Sequence, residues 1–219
     1  MLHFKCKSLF NGQPIKSILT GVVNASANSK TGPVVQQYIL PDTTTPPYAM
    51  SKTEAESVCG SCPLHPTASG GCYVQRHQGS RAVAKTTYPD LNPAYLTGRV
   101  VRLGADGDPT SLPFDSYAQI FKEARAILGY THNWRDCDPR WRQWLKASVE
   151  SEEAAKEARE LGWSTFRIRP AKDSPTMPRE VVCRNETHGE TCLECKLCAN
   201  FVNIVVTAHG VGKHKIQYV

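Results

Sequence analysis

The sequence predicts an α/β fold, a compact or partial (β/α) barrel with parallel strands and cysteine-rich metal-binding loops. Three observations predict it. Strand-like and helix-like segments alternate over 98–170, which is the pattern of parallel strands joined by right-handed crossovers. The 219 residues, 40% of them hydrophobic, are enough to bury a core. Seven of the nine cysteines fall in two tight groups, Cys59, Cys62, Cys72 and Cys183, Cys192, Cys195, Cys198, inside loop-like sequence.

Taken in order, residues 1–57 read as an N-terminal extension, loop-rich, with one or two strands; VVQQYIL (34–40) is the clearest, and PDTTTPPY (41–48) is a loop by its prolines. Residues 58–219 read as the barrel-like domain with its cysteine metal sites. GRVVRLG (98–104) is a short buried strand. DSYAQIFKEARAIL (115–128) is expected to be a helix, because Ile120, Phe121, Ala124, Ile127 and Leu128 form one apolar stripe and Gly129 follows as a C-terminal stop. Strands are expected at 129–132, 144–150, 164–170, 179–183 and 203–210. SEEAAKEAREL (151–161) is the best-defined helix, with acidic residues in its first turn and Gly162 behind it.

Composition narrows the function classes. No apolar run approaches the ~18 residues of a spanning helix. The first residues lack a long apolar stretch and a small-residue cleavage pattern, so a cytoplasmic protein without a membrane partner is expected. Lys plus Arg exceed Asp plus Glu by 26 to 20, a net +6 that suits nucleic acid or another anionic partner. An odd cysteine count argues against a complete set of internal disulfides and for metal.

The chemistry-bearing residues cluster at expected strand ends. CLECKLC carries Cys192, Cys195 and Cys198, with Cys183 nine residues upstream and His209 eleven downstream. Four thiolates, or three plus His209, would complete a tetrahedral zinc site, and three with an open corner would suit an iron–sulfur cluster. Cys59, Cys62 and Cys72 form a second candidate metal group; one structural zinc shared by Cys59, Cys62 and two C-terminal cysteines is the alternative arrangement. Arg102, Asp106 and Asp108 follow the strand at 98–104, where α/β enzymes keep catalytic groups. His132 is a candidate base, with Tyr130 and Trp134 as stacking surfaces; Glu150 ends the next strand. Arg167 and Arg169 share one side of theirs and ask for an anion or for Asp106 or Asp108. WRDCDPRWRQW (134–144) interleaves basic and aromatic residues, as single-strand binders do, although buried tryptophans with snorkelling arginines give the same text.

The order CGSCPLH, GGCYV, VRLGADGDP, GYTHNW, KASVES, GW-STFRIR, CLECKLC and AHG, over about 59–210, resembles a group of small bacteriophage-encoded proteins that are similar to radical S-adenosylmethionine enzymes. In those, a cysteine loop ending in Cys-Tyr precedes the barrel, and Gly-Asp, Thr-containing and Ser-Val-Asp/Glu motifs end successive strands. The resemblance implies that Cys59, Cys62 and Cys72 bind an iron–sulfur cluster, that Asp108 and Glu150 stand at the barrel mouth, and that S-adenosylmethionine is a cofactor; it also implies a host cytoplasm and a nucleotide or nucleic-acid base as substrate. The loop here is CxxC-x9-C, where the radical enzymes carry CxxxCxxC. The chain is more weakly similar to tRNA-guanine transglycosylases and their relatives that modify DNA with 7-deazaguanines. That likeness implies zinc on Cys192, Cys195, Cys198 and His209, with Asp106 or Asp108 as nucleophile in base exchange. A non-catalytic, zinc-stabilised nucleic-acid-binding module is the reading from a different class.

Overall fold

A computed structural model describes residues 1–210 and 212–218, and the side chains of all of these except residues 2, 3, 217 and 218. It is a mixed α/β fold with two sheets. The first runs β1 (Leu2–Lys7), β2 (Pro14–Thr20), β3 (Val35–Pro41), β4 (Val100–Asp106), β5 (Ala126–Leu128). The second has β6 (Tyr130–Thr131), β7 (Lys146–Val149), β8 (Thr165–Arg169), β9 (Glu180–Val182) and β10 (Asn203–Thr207), in the spatial order β6-β7-β8-β10-β9. β1, β2 and β3 pair antiparallel; β3, β4 and β5 pair parallel, as do all neighbours in the second sheet. Among the described residues no helix is long and apolar enough to cross a membrane.

The first 57 residues therefore supply three strands and share a core with the rest of the chain, Ile15, Leu19, Val35 and Ile39 packing with Val101 and Leu103. Two of these strands escape a search for apolar periodicity, yet their turn is marked: Asn11-Gly12 lies between them, and Gly12 takes φ 74°.

Helices α1 (Lys52–Cys59), α2 (Arg81–Lys85), α3 (Phe114–Phe121), α4 (Glu152–Glu160), α5 (Arg184–His188) and α6 (Cys192–Cys195) complete the regular structure. α1 starts at a capping box: Ser51 Oγ accepts the Glu54 amide, and the Glu54 carboxylate accepts the Ser51 amide. α4 is capped by Ser151, carries Glu152 and Glu153 in its first turn, and buries Ala155 and Ala158 against β7 and β8.

The expected helix over 115–128 is shorter than its pattern. It ends at Phe121, and Ile127 and Leu128 belong to β5, paired with Val101 and Arg102. The apolar stripe was real, but the next strand owned its last two members. Gly129 does not stop a helix; it joins β5 directly to β6. A Cβ there would lie 2.5 Å from Leu145 Cδ2, so any larger residue must push that buried side chain aside where the chain passes from one sheet to the other.

Candidate active-site cavity and two thiol groups

In each sheet the parallel strands bring their carboxyl ends to one edge. β4 ends at Asp106, β6 at Thr131 followed by His132, β7 at Val149 followed by Glu150, and β10 at Thr207. Asp106, His132 and Glu150 thus leave strand ends as the sequence pattern expects.

Asp106 is buried and paired with Arg76, whose Nε lies 3.0 Å from Oδ1. Arg76 Nη2 also reaches Cys59 Sγ at 3.4 Å, so one guanidinium bridges carboxylate and thiol. Nothing in the sequence pattern around Arg76 marks it. Asp108 has every oxygen engaged. Oδ1 accepts the Thr110 amide (3.0 Å) and hydroxyl (2.9 Å); Oδ2 accepts the Thr131 hydroxyl (2.9 Å) and the His132 amide (3.0 Å). Burial pushes its pKa up against the pull of those hydrogen bonds. Asp108 is thereby a clamp that ties the end of β4 to the end of β6, not an open nucleophile. The backbone at Gly107, φ 80°, is crowded by the Ile39 carbonyl, which a Cβ would meet at 2.6 Å.

His132 is held at both nitrogens: Nδ1 lies 3.3 Å from Cys62 Sγ and Nε2 2.7 Å from Glu150 Oε1. Burial would lower its pKa, but the Cys62 thiol and the Glu150 carboxylate outweigh it and hold the imidazole well above its ordinary value.

Cys59, Cys62 and Cys72 form one group. Burial raises the Cys59 and Cys72 thiols, Arg76 opposes this in both, and in both the charge of Cys62 adds to the rise. The Val74 amide donates to the Cys72 sulfur, the N–H···S contact that thiolate-bound metals favour. Cys183, Cys192, Cys195 and Cys198 form a second group: Cys192 feels Cys183 and Cys195, and Cys198 feels Cys192 and Cys183. Burial pushes Cys198 to about 12, although the Tyr130 hydroxyl donates to it at 3.3 Å. Among the described residues no three or more His, Cys, Asp or Glu side chains are gathered closely enough to hold a metal ion as they stand. His209 is turned to its own loop, with Nδ1 3.0 Å from the Thr207 carbonyl and its ring 5.2 Å from that of Tyr73.

Between the two groups opens a cavity of about 1090 Å³. Arg102 and Tyr130 line it, together with Tyr38, Tyr73, Phe166 and Ser80. Arg102 donates to the Tyr73 hydroxyl, and among the described residues no carboxylate pairs with it. Lys172, Lys196 and Lys213 also reach the cavity, whereas its carboxylates are engaged, Glu186 by Arg169 and Glu190 by Arg184. Ser80 is buried, and its Oγ has no protein partner.

Several expected ligand contacts are internal instead. Arg167 pairs with Glu180 at 2.7 Å and Arg169 with Glu186 at 3.0 Å, so these cations answer carboxylates of the chain itself and not Asp106 or Asp108. Trp134 is 3% exposed and belongs to the main core, with Arg135 stacked 3.8 Å over its ring. The basic–aromatic stretch is self-neutralised: Arg135 binds Glu157, Arg140 binds Asp115 and Asp138, and Trp141 is buried.

No protein-family model, no curated protein and no solved structure matches this chain.

Proposed function

We propose that the protein is a metal-dependent enzyme, similar in chemistry to radical S-adenosylmethionine enzymes, that acts on a nucleotide or nucleic-acid base. The observation that carries this reading is the gathering of Cys59, Cys62 and Cys72 beside the cavity, where Gly71, Tyr73 and Val74 of the same loop form part of the wall.

The residues fit an iron–sulfur cluster by the chemistry of the donor set: three mutually interacting thiols, a backbone amide on one sulfur and a guanidinium beside another. Such a cluster would supply one-electron chemistry when bound. Arg76 holds the Cys59 sulfur and Asp106 in register. Asp108 fixes the His132 backbone, and Glu150 fixes its ring against Cys62. Arg102 and the cavity lysines supply positive charge without a carboxylate answering Arg102, and Tyr38, Tyr73 and Tyr130 supply aromatic faces. That combination suits a planar base carrying phosphate. Base exchange through an aspartate nucleophile is less favoured, since Asp106 and Asp108 are both engaged.

The test is oxygen-free purification followed by iron and sulfide analysis and S-adenosylmethionine binding. Iron with sulfide, lost in Cys59→Ala and Cys72→Ala together with cofactor binding, is the expected result. A wild-type protein that takes up neither iron nor the cofactor, even after anaerobic reconstitution, overturns the proposal.

A further inference from the structure

The segment between Met177 and Ile204 has no core of its own. Both of those residues are buried, yet none of residues 178–203 is. It contains α5 and α6, of five and four residues, and a three-residue 3-10 turn at Leu197–Ala199. Helices this short do not hold themselves in water, and their apolar support is thin: Cys192, Leu193, Cys198 and Ala199 rest half-buried on Val34, Val100 and Leu128, and Cys183 on the cluster of Ile168 and Val206. Polar contacts hold the segment instead: Glu180 pairs with Arg167, Glu186 with Arg169, and Lys146 donates to the Asn200 and Val202 carbonyls. The Cys183 amide donates to the Val205 carbonyl of β10, and the Cys192 and Leu193 amides donate to the carbonyls of Lys30 and Thr31.

What the segment does contain is four cysteines, all on the wall of the same cavity. Cys192 and Cys195 are three residues apart on the single turn of α6, which places them on one face. Lys196 then takes the left-handed conformation, φ 51° and ψ 10°, which a non-glycine residue adopts at a cost. That reversal turns the chain into the 3-10 turn that carries Cys198. Cys183 stands at the start of α5 and is held against β10. His209 stands apart from this group, committed to the Thr207 carbonyl and the Tyr73 ring.

We infer that Cys183, Cys192, Cys195 and Cys198 form a closed four-thiolate zinc site whose ion adds to the thin apolar support of residues 178–203. Four thiolates leave no open corner, so the ion is structural, and its binding energy is folding energy for this segment. The site is separate from Cys59, Cys62 and Cys72 and stands whether or not those three hold a cluster.

The test counts metal in the full chain purified without oxygen, in wild type, in Cys183→Ser/Cys195→Ser and in Cys59→Ser/Cys62→Ser. The expected result is about one zinc per chain in wild type and in Cys59→Ser/Cys62→Ser, and none in Cys183→Ser/Cys195→Ser. Because that last variant can fail to fold, wild-type protein is also titrated with a zinc chelator while amide hydrogen exchange is followed. Zinc release should strip protection from 178–203 and leave β4 and β7 protected, and added zinc should restore it. Zinc retained in Cys183→Ser/Cys195→Ser overturns the assignment, as does chelation that leaves 178–203 unchanged. Iron in place of zinc, lost only with the C-terminal cysteines, overturns the choice of metal and makes the site a cluster. Loss of metal only in Cys59→Ser/Cys62→Ser would support the proposed enzyme and refute this site.

Discussion

His132 Nε2 stands 2.7 Å from Glu150 Oε1, so the residue after β6 and the residue after β7 are locked to each other at the sheet edge. The lock sets where the opposite ring nitrogen meets Cys62. Glu150→Ala removes a charge-assisted hydrogen bond from a nearly buried imidazole and should cost about 1.5–3 kcal/mol in urea unfolding. Glu150→Gln keeps an acceptor and should cost less. Equal stability of all three proteins would show that the pair orients nothing.

His65 gives the clearest pH dependence. Burial lowers its pKa to about 4, with Arg76 adding to the effect; its Nδ1 accepts the Thr67 amide and its Nε2 has no partner. The folded value lies below the unfolded value of about 6.5. The stability is therefore whole above about pH 6.5, and it is lost as pH falls toward about 4, by about 3 kcal/mol in total. His65→Asn, which keeps an acceptor for Thr67, should flatten that part of the stability–pH curve. A curve of unchanged slope would place the acid sensitivity elsewhere.

Gly129→Ala should destabilise by about 1–3 kcal/mol, since its Cβ must displace Leu145. Leu145→Ala in the same chain should recover part of that loss, so the double mutant falls short of the sum of the two single effects. Simple additivity would mean that the close approach at the joint of the two sheets is not the constraint.

Arg102→Met keeps the apolar stem and removes the guanidinium facing the cavity. Binding of a nucleotide probe, followed by calorimetry, should weaken about 10- to 100-fold, with little change in thermal midpoint. Undiminished binding would remove Arg102 from the proposed substrate contacts.

Lys146 is buried, and its Nζ donates to Ser164 Oγ (3.0 Å) and to the carbonyls of Asn200 and Val202 (both 2.7 Å). Lys146→Met leaves those acceptors unanswered and should cost at least about 1–3 kcal/mol. Faster hydrogen exchange at 200–203 should accompany it; unchanged exchange there would deny that Lys146 tethers the cysteine-rich segment to β7.

The cluster of polar residues at the strand ends was only partly visible before the fold. Asp106, His132 and Glu150 stand at strand ends as their motifs suggest, because strand patterning is local and parallel strands carry their carboxyl ends to one edge. Arg76 was invisible, since its meaning lies in Asp106 and Cys59, thirty and seventeen residues away. Arg167 and Arg169 ask for anions, and only the fold names them as Glu180 and Glu186 of the chain itself.

From its sequence alone the chain was determined to be an α/β protein with parallel strands, a well-capped helix at Glu152–Glu160 and two thiol groups. Alternation, capping and cysteine spacing act over a few residues, and the chain spells them out. Only the tertiary structure decided that Ile127 and Leu128 join a strand, that Asp108 is a clamp and that Arg102 lacks a carboxylate partner among the described residues. Each of those turns on a partner far along the chain, chosen by packing rather than by neighbouring residues.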